Sequence, residues 1–314
     1  MSGQPGVPSG APLGSLPGPP QGSPHSGPSA TVGPRTTQLR LLPRGPKPAW
    51  SVVASFVLLG LVALAAILGS VVFADATKQS ILDSLLPPFT AGHLLGTDEL
   101  GRDVFALLVA GTASAVVGPL VIALGSMTIG IVLGTLAGYH RGWLDMIISR
   151  FSDVLLALPV MLLAIVVAGI FDAGYWMTVA LLVLLFSPSD IRIVRAGVLE
   201  QAPRPYVEAA QMLSLSRWRI MFVHVVPNVW PLIVTNVLLN TSFALVTLSS
   251  LSFLGLGVAP GTADWGRQIA DGRGLMADNP AALIAPAVLI VLVSMAINVV
   301  GDWVGERLER KGIR

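Results

Sequence analysis

The 314-residue chain has no cysteine, only four histidines, and 11% of its residues charged. Without cysteine there is no disulfide framework, thiol nucleophile or thiolate metal site. The lysines Lys47, Lys78 and Lys311 are the whole set, and none lies in a G-x-x-x-x-G-K-S/T pattern. That removes the phosphate-cradling loop of a nucleotide-driven motor from this polypeptide. The histidines His25, His93, His140 and His224 fall outside every long apolar run and show no metal-ligand spacing. No G-x-S-x-G elbow or H-E-x-x-H helix occurs, which argues against an intramembrane hydrolase, whose nucleophile needs a base at membrane depth. A net charge of +2 is too small to point to nucleic acid.

What is abundant is apolar surface. Hydrophobic residues make up 53% of the chain and the mean hydropathy is +0.76. Soluble domains are about one quarter charged, so the composition is that of an all-α polytopic membrane protein. The first 48 residues differ: they hold 12 of the 24 prolines and no acid. Such a segment buries too little apolar area to offset its ordering entropy and is expected to be a disordered tail.

Uncharged runs long enough to matter fall at Ala49 to Ala74, Val104 to Tyr139, Val154 to Phe171, Ala173 to Ser189, Val225 to Ala263 and Asn279 to Gly301. With about 20 residues needed to cross the hydrocarbon core, these predict six transmembrane helices. The second run is expected to open with a short interfacial helix, Val104 to Val117, and to enter its span near Gly118-Pro119. The fifth is expected to leave its span near Ser249. With the N-terminus inside, the segments 1–48, 140–153, 190–224 and 302–314 hold 15 of the 19 lysines and arginines. The positive-inside rule therefore places both termini in the cytoplasm. The resulting organisation is a tail at 1–48, a first helix and external loop at 49–103, a five-helix core at 104–301 and a C-terminal tail at 302–314.

One polar insert interrupts the apolar pattern on the cytoplasmic side: VEAAQMLSLSRWRIMFVHVVPN, Val207 to Asn228. Glu208 to Leu213 are mostly good helix formers, Ser214 to Ser216 read as a break with a new N-cap, and a second short helix is expected over Arg217 to Phe222. Two readings stand: an amphipathic helix lying on the lipid surface, or a docking element for a soluble partner.

The residues of this insert resemble the EAA loop of type I ABC importer membrane subunits. Glu208, Ala209, Ala210, His224, Pro227 and Asn228 match that pattern, and Ser214 stands where the family has glycine. The upstream HLLGTDELGRD, His93 to Asp103, resembles the signature of the second, C-type permease subunit of the dipeptide, oligopeptide and nickel permeases, with Leu94 in place of proline. AGYHRGWLD, SDVLLALP, DIRIVRAGVLE, LSFLGLGVAPGTADWG and GDWVGERLE extend the resemblance over residues 50 to 314. Asp190 departs from it, since a small or aromatic residue is usual there.

The resemblance implies the type I ABC importer fold and a multi-pass location in a bacterial or archaeal cell membrane. It implies a coupling loop over 196–226 that contacts an ATPase subunit through Glu208, Ala209, Ala210, Ser214, Arg217, Trp218 and His224. The partners implied are a second homologous permease subunit, two ATPase subunits or domains that bind ATP and Mg, and an external substrate-binding protein. The chain itself would be non-catalytic and would bind no cofactor or metal. Peptides are the expected cargo; nickel chelates or haem-like cargo would use the same architecture.

His93, Thr97, Asp98, Arg102 and Asp103 read either as a loop brace or as an entrance that contacts the binding protein. Asn236, Asn240 and Asn298 read either as hydrogen-bonding glue between helices or as lining of the route. An ATP-independent secondary transporter would typically hold ionisable residues within its spans, and none of the six runs contains one.

Overall fold

The computed structural model describes residues 49–171 and 174–312, and the expected tail at 1–48 lies outside the described residues. All the regular elements among them are helical. The first, α1, spans Ala49–Val72 and is long enough to cross a bilayer. Trp50, Val53, Val57, Leu61, Ile67 and Val71 are exposed along it, as suits a helix that meets lipid on most of its circumference.

Next come α2 (Val104–Ala110) and α3 (Thr112–His140), which pass as one apolar stretch. The junction is at Gly111, not at Gly118-Pro119 as the sequence led us to expect. A Cβ at Gly111 would stand 3.1 Å from the Asp264 nitrogen, so close backbone approach sets the junction there. Pro119 sits within α3.

The third expected span is a bent pair. Helices α4 (Gly142–Leu156) and α5 (Val160–Phe171) meet at 82° across a break that contains Pro159. Proline lacks an N–H and disfavours helical geometry in the residue before it. Among the described residues five helices are long and apolar enough to cross a membrane, or up to six if the bent pair is counted as one span.

Helix α6 (Tyr175–Gln201) runs well past Ser189 and carries Asp190, Arg192 and Arg195 on helical backbone. The loop expected over 196–226 thus narrows. Its first residues belong to α6, α7 covers Pro205–Met212, and the second short helix is not separate. A turn of α-helix at Arg217–Arg219 passes through a π turn at Ile220–Val225 into the long α9. The turn at Arg217–Arg219 is α8 and the span Val226–Phe253 is α9. Pro227 has no N–H for the helical ladder, and the Val226 N–H bonds back to Met221, five residues away. The span ends four residues beyond Ser249. A short α10 (Trp265–Gly272) precedes α11 (Ala281–Gly312), which continues as one helix through the expected 302–314 tail as far as it is described.

Glycines set the closest packing. Gly130, Gly134 and Gly138 of α3 lie against Asp190, Ile191 and the Val194-to-Val198 turn of α6, where added Cβ atoms would come within 2.6 to 2.9 Å of neighbouring atoms. Small residues at four-residue spacing let two membrane helices approach this closely. One apolar cluster joins Met127, Val194, Val198, Val229 and Ile233 of the spans to Val207 and Ala210 of α7. A second gathers Ile122, Leu182, Leu185, Leu248 and Leu251, and a third packs Val62, Leu245, Ile290 and Val293 around Trp265.

Candidate functional site: the two ends of the bundle

The ends of α3 define two polar regions, about 43 Å apart at 1.5 Å per residue over its 29 residues. At the His140 end, α7 divides its residues by burial. Val207 and Ala210 are buried in the core, whereas Glu208, Ala209, Met212 and Leu213 are exposed. Two buried positions three apart hold the helix down and leave the opposite face uncovered. Trp218 is 60% exposed and stacks on Phe222 at 5.6 Å.

The turn after α7 is closed by backbone hydrogen bonds. The Leu215 N–H donates to Ala210 O at 3.3 Å and the Ser214 N–H to Gln211 O at 2.9 Å. This is the Schellman arrangement, and it requires a left-handed residue between them. Ser214 supplies it with φ of 55°. A serine therefore makes a left-handed turn where the family has glycine, at a strain of about 1–2 kcal/mol relative to glycine. Ser216 then caps the next turn, accepting from the Arg219 N–H at 3.4 Å. Asn228 donates to His224 O at 2.6 Å, and the half-buried His224 ring keeps its Nε2 without a partner.

At the opposite end, the loop before α2 is tied together. Asp98 accepts from the backbone of Leu100 and Arg102 and pairs with Arg102 Nε at 2.7 Å. Both side chains are buried, and Arg102 also reaches Asp271 of α10 at 3.6 Å. Asp103 caps α2 through the Ala106 N–H and meets His93 Nδ1 at 2.7 Å. Thr97 is buried and accepts from the Leu86 N–H. A Cβ at Gly101, where φ is 69°, would fall 1.7 Å from Ser80 O. Trp265 and Gln268 of α10 donate to Leu108 O and Leu107 O in the last turn of α2. Asp264, the α10 cap, accepts from Ser114 Oγ, and burial pushes its carboxyl above the usual carboxylate range.

The candidate route residues are engaged with one another's helices. Asn236 and Asn240 of α9 both donate to Asp190 Oδ1, at 2.6 and 2.7 Å, and Asn298 of α11 donates to Ser242 Oγ at 3.1 Å. Asp190 is fully buried. The expectation that no span holds an ionisable residue is therefore corrected: the helix of the fourth span continues through Asp190. Its place at the edge of a charged sequence concealed it, although the two asparagines one turn apart on α9 were a signal of a buried polar partner. Between α4 and α6, Arg195 forms a two-pronged pair with Asp145, and Arg192 meets Asp153 at 2.7 Å.

Residues 130–313 match the family described as binding-protein-dependent transport system inner membrane component. The chain belongs to that family. The permease is 35% identical to the glutathione transport system permease protein GsiD of Pectobacterium atrosepticum over 237 residues, covering 76% of this chain and 79% of the relative. It is 32% identical to the dipeptide transport system permease protein DppC of Haemophilus influenzae, covering 76% and 82%. The di/tripeptide transport system permease protein DppC of Pseudomonas aeruginosa is 35% identical, with 70% and 73% covered. Its fold resembles a solved inward-facing structure of the MetNI methionine ABC transporter, with a TM-score of 0.51 at 20% identity, over 67% of this chain and 98% of the other. The permease is thus a multi-pass membrane protein with the type I ABC importer fold.

Proposed function

We propose that this permease is the C-type membrane subunit of an ATP-driven importer that carries di- or oligopeptides into the cytoplasm. The names of the relatives, which transport glutathione, dipeptides and di/tripeptides, support the cargo class. The exposed face of α7 with its flanking Met212, Leu213 and Trp218 is the observation that carries the mechanism. It is a helix anchored on one side and uncovered on the other, with an aromatic side chain of the kind that anchors interfaces. The excess of lysine and arginine at this end supports a cytoplasmic location.

In this reading an ATPase subunit seats α7 through Glu208, Ala209, Ser214 and Trp218. Its closure on ATP and Mg pushes against a helix whose Val207 and Ala210 are part of the core shared by α3, α6 and α9. Force on α7 therefore reaches the spans through packed side chains. A second membrane subunit completes the route, and an external binding protein delivers the peptide. The ATPase must bind the two states of the permease with different affinity, since only that difference shifts the equilibrium.

Glu208→Lys combined with Trp218→Ala should uncouple the complex: recovery of ATPase with the purified permease and peptide-stimulated ATP hydrolysis should both fall by at least about 30-fold, the cost of a central interface anchor. Wild-type assembly and hydrolysis in that variant would remove α7 as the docking element.

A further inference from the structure

The same end of the bundle holds a second polar feature. A cavity of about 630 Å3 opens between the α3–α4 corner and the α7–α8 turn, lined by Tyr139, His140, Arg141, Gln211, Leu215 and Arg217 among others. None of its lining residues is acidic. Three other arginines at this end have carboxylate partners, Arg192 with Asp153, Arg195 with Asp145 and Arg204 with Glu200, whereas Arg150 and Arg219, like those of the cavity, form no ion pair among the described residues. Arg141 and Arg217 form no ion pair among the described residues, and Asp145, which feels the charge of Arg141, is already held by both prongs of Arg195. Arg141 also occupies a left-handed backbone position, φ 54°, followed by Gly142 at 68°. A long side chain kept at a strained corner is a reason to ask what it serves.

The helix that leaves this corner indicates what lies beside the cavity. On α4, Trp143, Met146, Ile147, Phe151 and Val154 are exposed, while Asp145 and Asp153 pair with α6. The helix crosses the direction of α5 at 82°. An amphipathic helix lying across the span direction, with an exposed tryptophan and an apolar face, belongs at the boundary between acyl chains and headgroups. The cavity at its N-terminal end is therefore at headgroup level.

We propose that this cavity binds the headgroup of an anionic phospholipid, with the Arg141 and Arg217 guanidinium groups on the phosphodiester. Arginine suits that role because its planar fork can donate two hydrogen bonds to phosphate oxygens. His140 adds a donor, Tyr139 and Gln211 offer polar contacts to a glycerol headgroup, and the apolar stripe of α4 leads away along the acyl region. The site joins the corner of α3 to α7, the helix that couples to the motor, where Gln211 donates to Tyr139. It does not depend on the identity of the cargo.

The test uses the full-length chain purified in detergent with its partner membrane subunit and without the ATPase subunits, with retained lipid read by native mass spectrometry. Phosphatidylglycerol should be retained in clear preference to phosphatidylcholine of the same acyl chains. Arg141→Ala and Arg217→Ala should each lower phosphatidylglycerol retention about 5-fold, and the double variant about 30-fold, from the contribution expected of one basic residue at a headgroup. Arg204→Ala, which removes equal charge from the same end but not from the cavity, should change it little. Equal retention of the two lipids by the wild type would overturn the proposal, and that comparison stands even where a variant fails to fold. So would an Arg204→Ala loss as large as the others, or displacement of the lipid by millimolar inorganic phosphate. Expulsion of the lipid on adding the ATPase subunits would also overturn it, assigning the two arginines to an acidic surface of that partner.

Discussion

The two ends of α3 handle polar residues in opposite ways. At the Asp103 end, charges are buried and paired, and glycines allow loops to lie against each other: Asp98 with Arg102, Arg102 with Asp271, Gly101 under Ser80. At the His140 end, Met212, Leu213 and Trp218 are exposed, and Arg141 and Arg217 line an open cavity. The first end pairs its buried charges internally, so it braces. The second has hydrogen bonds for its backbone but uncovered side chains, so it is built to meet something else. This contrast shows where a membrane protein can be rigid and where it can be handled.

Substitutions at the two ends should therefore separate stability from assembly. The largest loss of stability is expected from Arg102→Met, which leaves the buried Asp98 carboxylate without its cation. It should cost about 3–5 kcal/mol of unfolding free energy in detergent and leave affinity for the ATPase intact in the folded fraction. A small loss of stability accompanied by weaker ATPase binding in the folded fraction would erase the distinction between the ends. Trp218→Ala should do the reverse. Its binding to the ATPase should weaken by about 2 kcal/mol or more, while unfolding shifts by no more than about 0.5 kcal/mol, as for an exposed surface site.

Ser214→Gly should stabilise α7 by about 1 kcal/mol by relieving the left-handed strain, seen as slower hydrogen exchange at the amides of position 214 and Leu215. Slower exchange spread evenly over the bundle would show that the strain is not local. The smallest effect concerns pH at the brace. Asp264 has a folded-state pKa raised by burial, so the folded form holds its proton more tightly than the unfolded chain. Stability should be highest below the unfolded value near 3.8 and fall as pH rises through the raised folded value. Asp264→Asn keeps the cap and should flatten that dependence in thermal melts across acidic to neutral pH. An unchanged slope would place the dependence on other groups.

Much of this was readable from residue order. The runs of uncharged residues marked the spans, and the pattern around Glu208 to Asn228 marked the loop. The helix-forming character of Glu208 to Leu213 and the capping role of Ser216 follow from local propensity, which acts within one turn. The His93 to Asp103 loop was legible as a motif, but its two readings could not be separated without α10, because burial of Asp98 and Arg102 depends on Asp271 and Gly261 far along the chain. The break before α3 was misplaced because Gly111 is required by the approach of Asp264, a contact across some 150 residues.

By itself the sequence determined that this chain is a membrane permease and where its backbone could turn. Hydropathy, glycine, proline and capping residues act on their immediate neighbours, and those effects survive any packing arrangement. The tertiary structure alone decided that Asp190 is buried between Gly130 of α3 and the asparagines of α9. It also decided that α4 lies across α5, and that two arginines are left to line one cavity. Burial and pairing are properties of several helices at once, and no single stretch of residues contains them.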